Sequence, residues 1–230
     1  QNLQSTSTNN AGENKPVAAE VGLGSRVAAI TSTFTQGNLT HVENPFSVAL
    51  EGDGFFQIRT ESGELQYTRD GSFEISPVAN GNMLCTSDGN PVLDAYGNQI
   101  ILPSNRVATD LVVNQDGTLA FPDGTGNPAV ITDANGRPVK FGIYQFNNPA
   151  GLSKEGSNNY SVTVASGAAV AENGNAAVKQ TKTHQYYTEA SNVDVANEMV
   201  NLIVAQRAYE MNSKAIQASD EMMQQANALR

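Results

Sequence analysis

The sequence has 230 residues, 39% of them hydrophobic, and a formal net charge of −10. That length carries one or two domains with a real core. The acidic balance argues against nucleic acid or an anionic membrane surface as partner, because both select for Lys and Arg. No apolar run reaches the length needed to cross a bilayer, so no membrane insertion is expected. The single cysteine, Cys85, excludes an internal disulfide framework.

The amino-terminal stretch QNLQSTSTNN has no basic start, no apolar centre and no initiator Met. It reads as the edge of an internal fragment or trimmed chain rather than a secretory signal. Residues 1–20 are polar and poor in large apolar side chains, which predicts an extended connector. Residues 21–185 read as a β-rich domain. GLGSRVAAITSTFTQGNL, from Gly22 to Leu39, predicts one or two strands with a turn at Gly37–Asn38. FSVALEGDGFFQI predicts two short strands reversing at Gly52–Asp53–Gly54, and LQYTRDGSFEI repeats the design around Asp70–Gly71. Gly52, Gly54, Asp70 and Gly71 are therefore the candidate structural turn residues, where a positive φ or a close backbone approach would require glycine. Further turns are expected at Asp88–Gly89, Gly97–Asn98, Asp116–Gly117, Asp123–Gly124 and Asn135–Gly136. Residues 166–180, SGAAVAENGNAAVKQ, read as a loop or linker, and TKTHQYYTEAS, from Thr181, as a strand or extended segment leading into the terminal helix; residues 186–230 read as the C-terminal helical segment.

From Ser191 to Arg230 there is no Gly and no Pro. Val193, Ala196, Val200, Ile203, Met211, Ala215, Ala218, Met222, Ala226 and Leu229 recur at steps of three and four, interrupted at Arg207. This spacing predicts one helix about 60 Å long at 1.5 Å per residue. Ser191, three residues before Asp194, offers an N-terminal cap. A second apolar row holds Val195, Met199, Leu202, Tyr209, Ile216 and Met223. Together the rows are too wide for a helix resting on one small domain, so partner helices are expected. The alternative is a single long core helix of a monomer. Glu210 and Lys214, at i and i+4, form either a solvated pair or an interchain bridge. The fold class is thus mainly β with a long C-terminal α-helix.

No catalytic constellation emerges. His41, His184 and Cys85 have no metal-ligand spacing, so no metal or cofactor is expected. GLGSRV lacks the third glycine of a dinucleotide loop and reads as a turn. GLSKEG has one residue too many for a nucleophile elbow. The Asn/Asp/Gly clusters match calcium loops in composition but not in ligand spacing, and read as hairpin turns.

Four separated stretches, QGNLTHVENPFSVALEGDGFFQI, YTRDGSFEI, FNNPAGLSKEGSNNY and EASNVDVANEMVNLIVAQRAYEMNSKAIQASDEMMQQANALR, resemble the bacterial flagellar axial proteins of rod and hook. Within that family GLGSRV before FTQGNL, and the run SNVDVANEMVNLI, are most similar to the distal rod branch, ahead of the hook and proximal rod branches. The resemblance implies a structural, non-enzymatic subunit of the basal body. It would be exported without a cleaved signal and stack helically with itself into a hollow rod across the periplasm. Other rod proteins, the hook protein and basal-body ring proteins would be its neighbours. It further implies a β-hairpin-rich outer domain and a helical inner, coiled-coil-like segment. Val193, Ala196, Met199, Val200, Leu202, Ile203, Arg207, Tyr209, Met211, Ile216, Met222, Met223 and Leu229 are then the candidate assembly interface. The family's N-terminal helix and its Asn-rich motif do not precede Gln1, so the natural partner of the 191–230 helix is expected outside this sequence. The rival reading is a cell-wall-associated β domain, binding or hydrolytic, for which paired carboxylates would be required.

Overall fold

The structure is a computed structural model that describes residues 5–8, 14–17, 32–123, 128–133, 135–175 and 177–228. The chain divides into two compact units, Gln1–Thr33 and Phe34–Arg230. In the first, strand β1 (Ser5–Thr8) pairs antiparallel with β2 (Asn14–Val17), with Ser5 opposite Val17. The strands expected between residues 22 and 31 lie outside the described residues.

The second unit begins with β3 (Leu39–His41), β4 (Val48–Glu51), β5 (Phe55–Arg59), β6 (Leu65–Thr68), β7 (Glu74–Val78), β8 (Gly81–Cys85) and β9 (Ile101–Leu102). It continues with β10 (Val112–Val113), β11 (Leu119–Pro122), β12 (Pro128–Val130), β13 (Ile143–Gln145), β14 (Ser153–Gly156), β15 (Asn159–Ser161) and β16 (Val170–Ala171). The last elements are β17 (Lys182–Gln185), β18 (Tyr187–Glu189) and the helix α1 (Val195–Ala228). The largest sheet has the order β14-β15-β6-β5-β13-β16; β7-β8-β9 and β10-β11-β12 form three-stranded sheets, and β4 pairs with β17 and β3 with β18.

Strand β5 organises the core. Successive side chains of a strand point to opposite faces, and both faces of β5 are covered. Phe56 and Ile58 enter the larger cluster with Phe73, Leu84, Leu102, Leu119 and Phe141. Phe55 enters a second cluster with Tyr67, Phe146 and Leu152. The run FFQI is therefore apolar almost without alternation, as a strand buried on both sides requires. Edge-to-face ring contacts hold each cluster, with centroids 5.0 Å apart for Phe56–Phe73 and 5.5 Å for Phe55–Phe146.

Five hairpin turns share one backbone design. They start at Thr60, Thr86, Asp94, Asn114 and Asp133, and in each the glycine three residues on donates its N–H to the first carbonyl. The first residue's N–H in turn donates to the carbonyl just past the glycine. The five glycines have φ between 75° (Gly136) and 87° (Gly63), the left-handed position of a type I turn followed by a bulge. The carboxylates of Asp94 and Asp133 accept backbone N–H groups at 2.8 to 2.9 Å. The Asp/Asn content is thereby spent on turn geometry. The turn at Glu61–Ser62–Gly63 carries the same signal and was not among those expected; the glycine of Asp123–Gly124 lies outside the described residues.

Three expectations need correction. Gly52–Asp53–Gly54 does not close a hairpin: β4 pairs with β17, whereas β5 pairs with β6 and β13. Asp70–Gly71 likewise passes the chain from β6 to β7 in another sheet. Local turn signals cannot say which strands pair when a distant strand competes. Gly37–Asn38 is not a turn either. Gly37 lies flat against Ala190, whose carbonyl oxygen would sit 1.9 Å from an added Cβ. The 166–180 loop also contains β16 and the buried Glu172. That carboxylate accepts Thr181 N–H at 2.7 Å, Thr181 O–H at 2.6 Å and Gln145 Nε2 at 2.8 Å.

Gly71 has an ordinary φ but no room: an added Cβ would lie 1.7 Å from the Val48 carbonyl oxygen. Gly71→Ala is therefore expected to destabilise the β body by about 2 kcal/mol or more, since overpacking against backbone cannot relax cheaply. Gly89→Ala, with φ +83° and open space around it, is expected to cost about 1 kcal/mol. Denaturant midpoints of the two variants check the ranking.

Candidate assembly surface

Helix α1 has 34 residues and is about 50 Å long. Its start is built by Asp194: Oδ1 accepts Ala196 N–H at 2.9 Å and Oδ2 accepts Asn197 Nδ2 at 2.8 Å. The Asp194 carbonyl takes the first helical bond, from Glu198 N–H at 3.0 Å. The cap is thus Asp194 and not Ser191, whose Oγ accepts Val193 N–H at 3.2 Å, before the helix begins. A carboxylate at this position also suits the positive end of the helix dipole.

The helix is uncovered along its described length. Its large apolar side chains range from 53% exposed at Ile203 to 77% at Tyr209. Val193 sits just before the helix and is exposed; Met199, Val200, Leu202, Ile203, Tyr209, Met211, Ile216, Met222 and Met223 are all exposed along it. Ala196 and Arg207 are exposed as well, and Leu229 lies outside the described residues. Val204, 61% exposed and four residues after Val200, stands beside them although it falls outside the two apolar rows.

Helical spacing divides α1 into two parts. From Val195 to Val204, Val195, Ala196, Met199, Val200, Leu202, Ile203 and Val204 cover somewhat more than half of the circumference, with Asn197, Glu198 and Asn201 on the remaining side. Beyond that, Gln206, Glu210, Ser213, Gln217, Glu221 and Gln224 recur at threes and fours and make one polar side. Leu202, Tyr209, Ile216 and Met223 recur at sevens, the spacing of a packing seam between helices. Glu210 and Lys214 form no ion pair within the chain among the described residues.

The helix is rooted in a short ribbon. In it β3 pairs with β18, Leu39 opposite Glu189, Thr40 opposite Thr188 and His41 opposite Tyr187. Ala190 N–H donates to the Asn38 carbonyl at 2.9 Å, and Asn192 Nδ2 to the Thr35 carbonyl at 2.8 Å. None of these ribbon contacts was legible as a signal in the sequence, because each joins segments separated by most of the chain.

Elsewhere the described residues contain no group of three or more His, Cys, Asp and Glu that could hold a metal ion. No described helix is long and apolar enough to cross a membrane. A small polar pit is lined by Thr68, Asp70, Ser72, Thr86, Ser87, Asp88, Ser157 and Asn159. Within it Asp70 is occupied in holding turns, accepting Ser72 N–H at 3.0 Å and Asn158 Nδ2 at 3.2 Å.

Residues 184–229 match the family model described as flagellar basal body rod FlgEFG protein C-terminal. Residues 49–121 match that of the flagellar hook protein FlgE/F/G D1 domain. The chain is 38% identical to the flagellar basal-body rod protein FlgG of Borreliella burgdorferi over 220 residues, 94% of this chain and 76% of that protein. It is 35% identical over 237 residues to the protein of the same name from Buchnera aphidicola subsp. Acyrthosiphon pisum, covering 100% and 82%. With that of Agrobacterium fabrum the identity is 38% over 211 residues, covering 90% and 73%.

Removing the cap tests how the helix starts. Asp194→Ala is expected to cost about 1 kcal/mol and to fray the first turn. Faster amide exchange at Ala196–Glu198 should show it, while Asp194→Asn should retain most of the protection.

Proposed function

Because the chain belongs to the flagellar basal-body rod protein family, we propose that it is a structural subunit of the distal rod. Copies of it stack helically into a hollow shaft that transmits torque and conducts exported subunits. The observation that carries this reading is α1, a helix with apolar side chains on every turn and none of them covered. Burying one such side chain contributes about 1.5–3 kcal/mol, and a long helix without packing is only marginally stable in water. The inner part of the tube is made by residues 186–230, through Val193 to Leu229 as named above. Residues 21–185 form the outer wall and residues 1–20 a connector.

In this reading the protein works without catalysis, metal or cofactor. Its partners are other copies of itself, the other rod proteins, the hook protein and the ring proteins of the basal body. It resides in the basal body, crosses the periplasm and is exported without a cleaved signal. Family membership does not favour a cell-wall hydrolase.

Ile203→Glu tests the interface. An unpaired buried charge costs several kcal/mol, roughly more than one packed contact supplies. The variant is therefore expected to abolish tube formation seen by electron microscopy while the β body melts as in the wild type. Normal tubes and normal motility with this variant would remove α1 from the interface.

A further inference from the structure

A ribbon of three residue pairs cannot hold a helix of 34 residues in a fixed direction by itself, since isolated two-stranded ribbons are marginally stable in water. Two features outside the ribbon bind it to the β body.

The first is Arg69, at the end of β6. Its Nε donates to Glu189 Oε2 at 2.9 Å, and Nη1 donates to the carbonyls of Gly52 and Gly54 at 2.9 and 3.1 Å. Its Nη2 lies 2.9 Å from the same Glu189 oxygen, out of line for a hydrogen bond. The other carboxylate oxygen of Glu189 accepts Gly37 N–H at 2.9 Å. Both side chains are only 14% exposed, and the guanidinium lies 5.7 Å from the centre of the Phe55 ring. One arginine thus joins the body, through β6 and the 52–54 segment, to Glu189 on β18, and through that carboxylate to Gly37 before β3. Gln36 adds to the joint: its Oε1 accepts Gly52 N–H at 3.1 Å and its Nε2 donates to the Leu50 carbonyl at 3.0 Å.

The second is the corner at Tyr186. With φ 65° it occupies the left-handed region, which a bulky side chain enters only when its surroundings hold it there. Tyr186 N–H donates to the Ser47 carbonyl and its own carbonyl accepts Val42 N–H, both at 2.8 Å. One half of the peptide frame is thereby fixed to the body and the other to the ribbon, at the point where β17 ends and β18 begins.

We propose that the Arg69–Glu189 pair, together with the Tyr186 corner, is the positioning joint that fixes the direction in which α1 leaves the β body. This rests on the assembly reading for its consequence: subunits sharing one take-off direction can build one tube geometry. The joint itself is a property of the single chain. A largely covered ion pair is well suited to the task, because removing one partner leaves a poorly compensated charge and penalises other arrangements.

The test uses the full chain in dilute solution, with spin labels at Glu61→Cys, in the β5–β6 turn, and Asn201→Cys, on α1; Cys85 is buried. The wild-type background should give one narrow label-to-label distance distribution. Arg69→Gln should broaden it and speed amide exchange in Leu39–His41 and Tyr187–Glu189 by about tenfold or more. Exchange in β5, β6 and β13 should stay slow. Glu189→Gln, which keeps an acceptor for Gly37 N–H but loses the charge, should fall between the two. An unchanged distribution and ribbon protection in Arg69→Gln overturns the proposal. Loss of protection throughout the body in both variants also overturns it, because the pair would then be a support of the core. If Ile203→Glu leaves tubes and motility normal but the distance distribution still widens in Arg69→Gln, the assembly reading fails and the joint stands.

Discussion

The antiparallel pairing of β4 with β17 decides where everything else can go. It sets Val48 opposite Gln185 and Glu51 opposite Lys182, joining the beginning of the β body to its end. Gln185 extends the tie: its Nε2 donates to the carbonyls of Pro45 and Leu111, both at 2.7 Å, and its Oε1 accepts Val113 N–H at 3.0 Å. Thr183 Oγ1 donates to the Asn114 carbonyl at 2.6 Å. His184 sits against Glu51, and this hydrogen bond is the main reason the Glu51 carboxyl titrates below its ordinary range. With the two strands held together, the arms on their far sides emerge as neighbours. The β3–β18 ribbon and then the helix follow from that single closure.

The body and the helix treat their apolar residues in opposite ways. In the body, four phenylalanines, Phe55, Phe56, Phe73 and Phe141, are fully buried. In α1, leucine, isoleucine, methionine and tyrosine alike are left in water. Helix α1 carries only a small net negative charge, with Glu198, Glu210, Asp220 and Glu221 against Arg207 and Lys214. Close approach of several such helices would therefore meet little mutual repulsion, whereas most of the chain's net negative charge resides in the residues before α1.

Much of this was readable in advance. The long helix was legible because a period of three to four residues persists from Val195 onward without Gly or Pro, and the class of the β body because its turn residues are so dense. The hairpin at Asn114–Gly117 was legible for the same local reason. Strand partnership was not. FSVALEGDGFFQI looks like a hairpin because Gly52 and Gly54 permit a reversal, but Val48–Glu51 gains a better partner from Lys182–Gln185. Arg69, Glu189 and Glu172 gave no signal at all. Each is an ordinary charged residue in sequence and acquires its role only when distant backbone is brought against it. The polar side of α1 beyond Gln206 is present in the sequence in the same spacing of threes and fours as the apolar residues.

The closure of β4 on β17 also fixes the order of events in any chain delivered from one end. When residues 48–51 emerge, the strand that completes them has yet to arrive, and the hairpins between can form only as separate pieces. Loop closure over such a span is entropically costly and contacts distant in sequence form slowly. The body therefore becomes a closed object only after residue 185 is free, and the helix emerges later still. A chain of this topology delivered from one end stays open and extensible until that strand arrives.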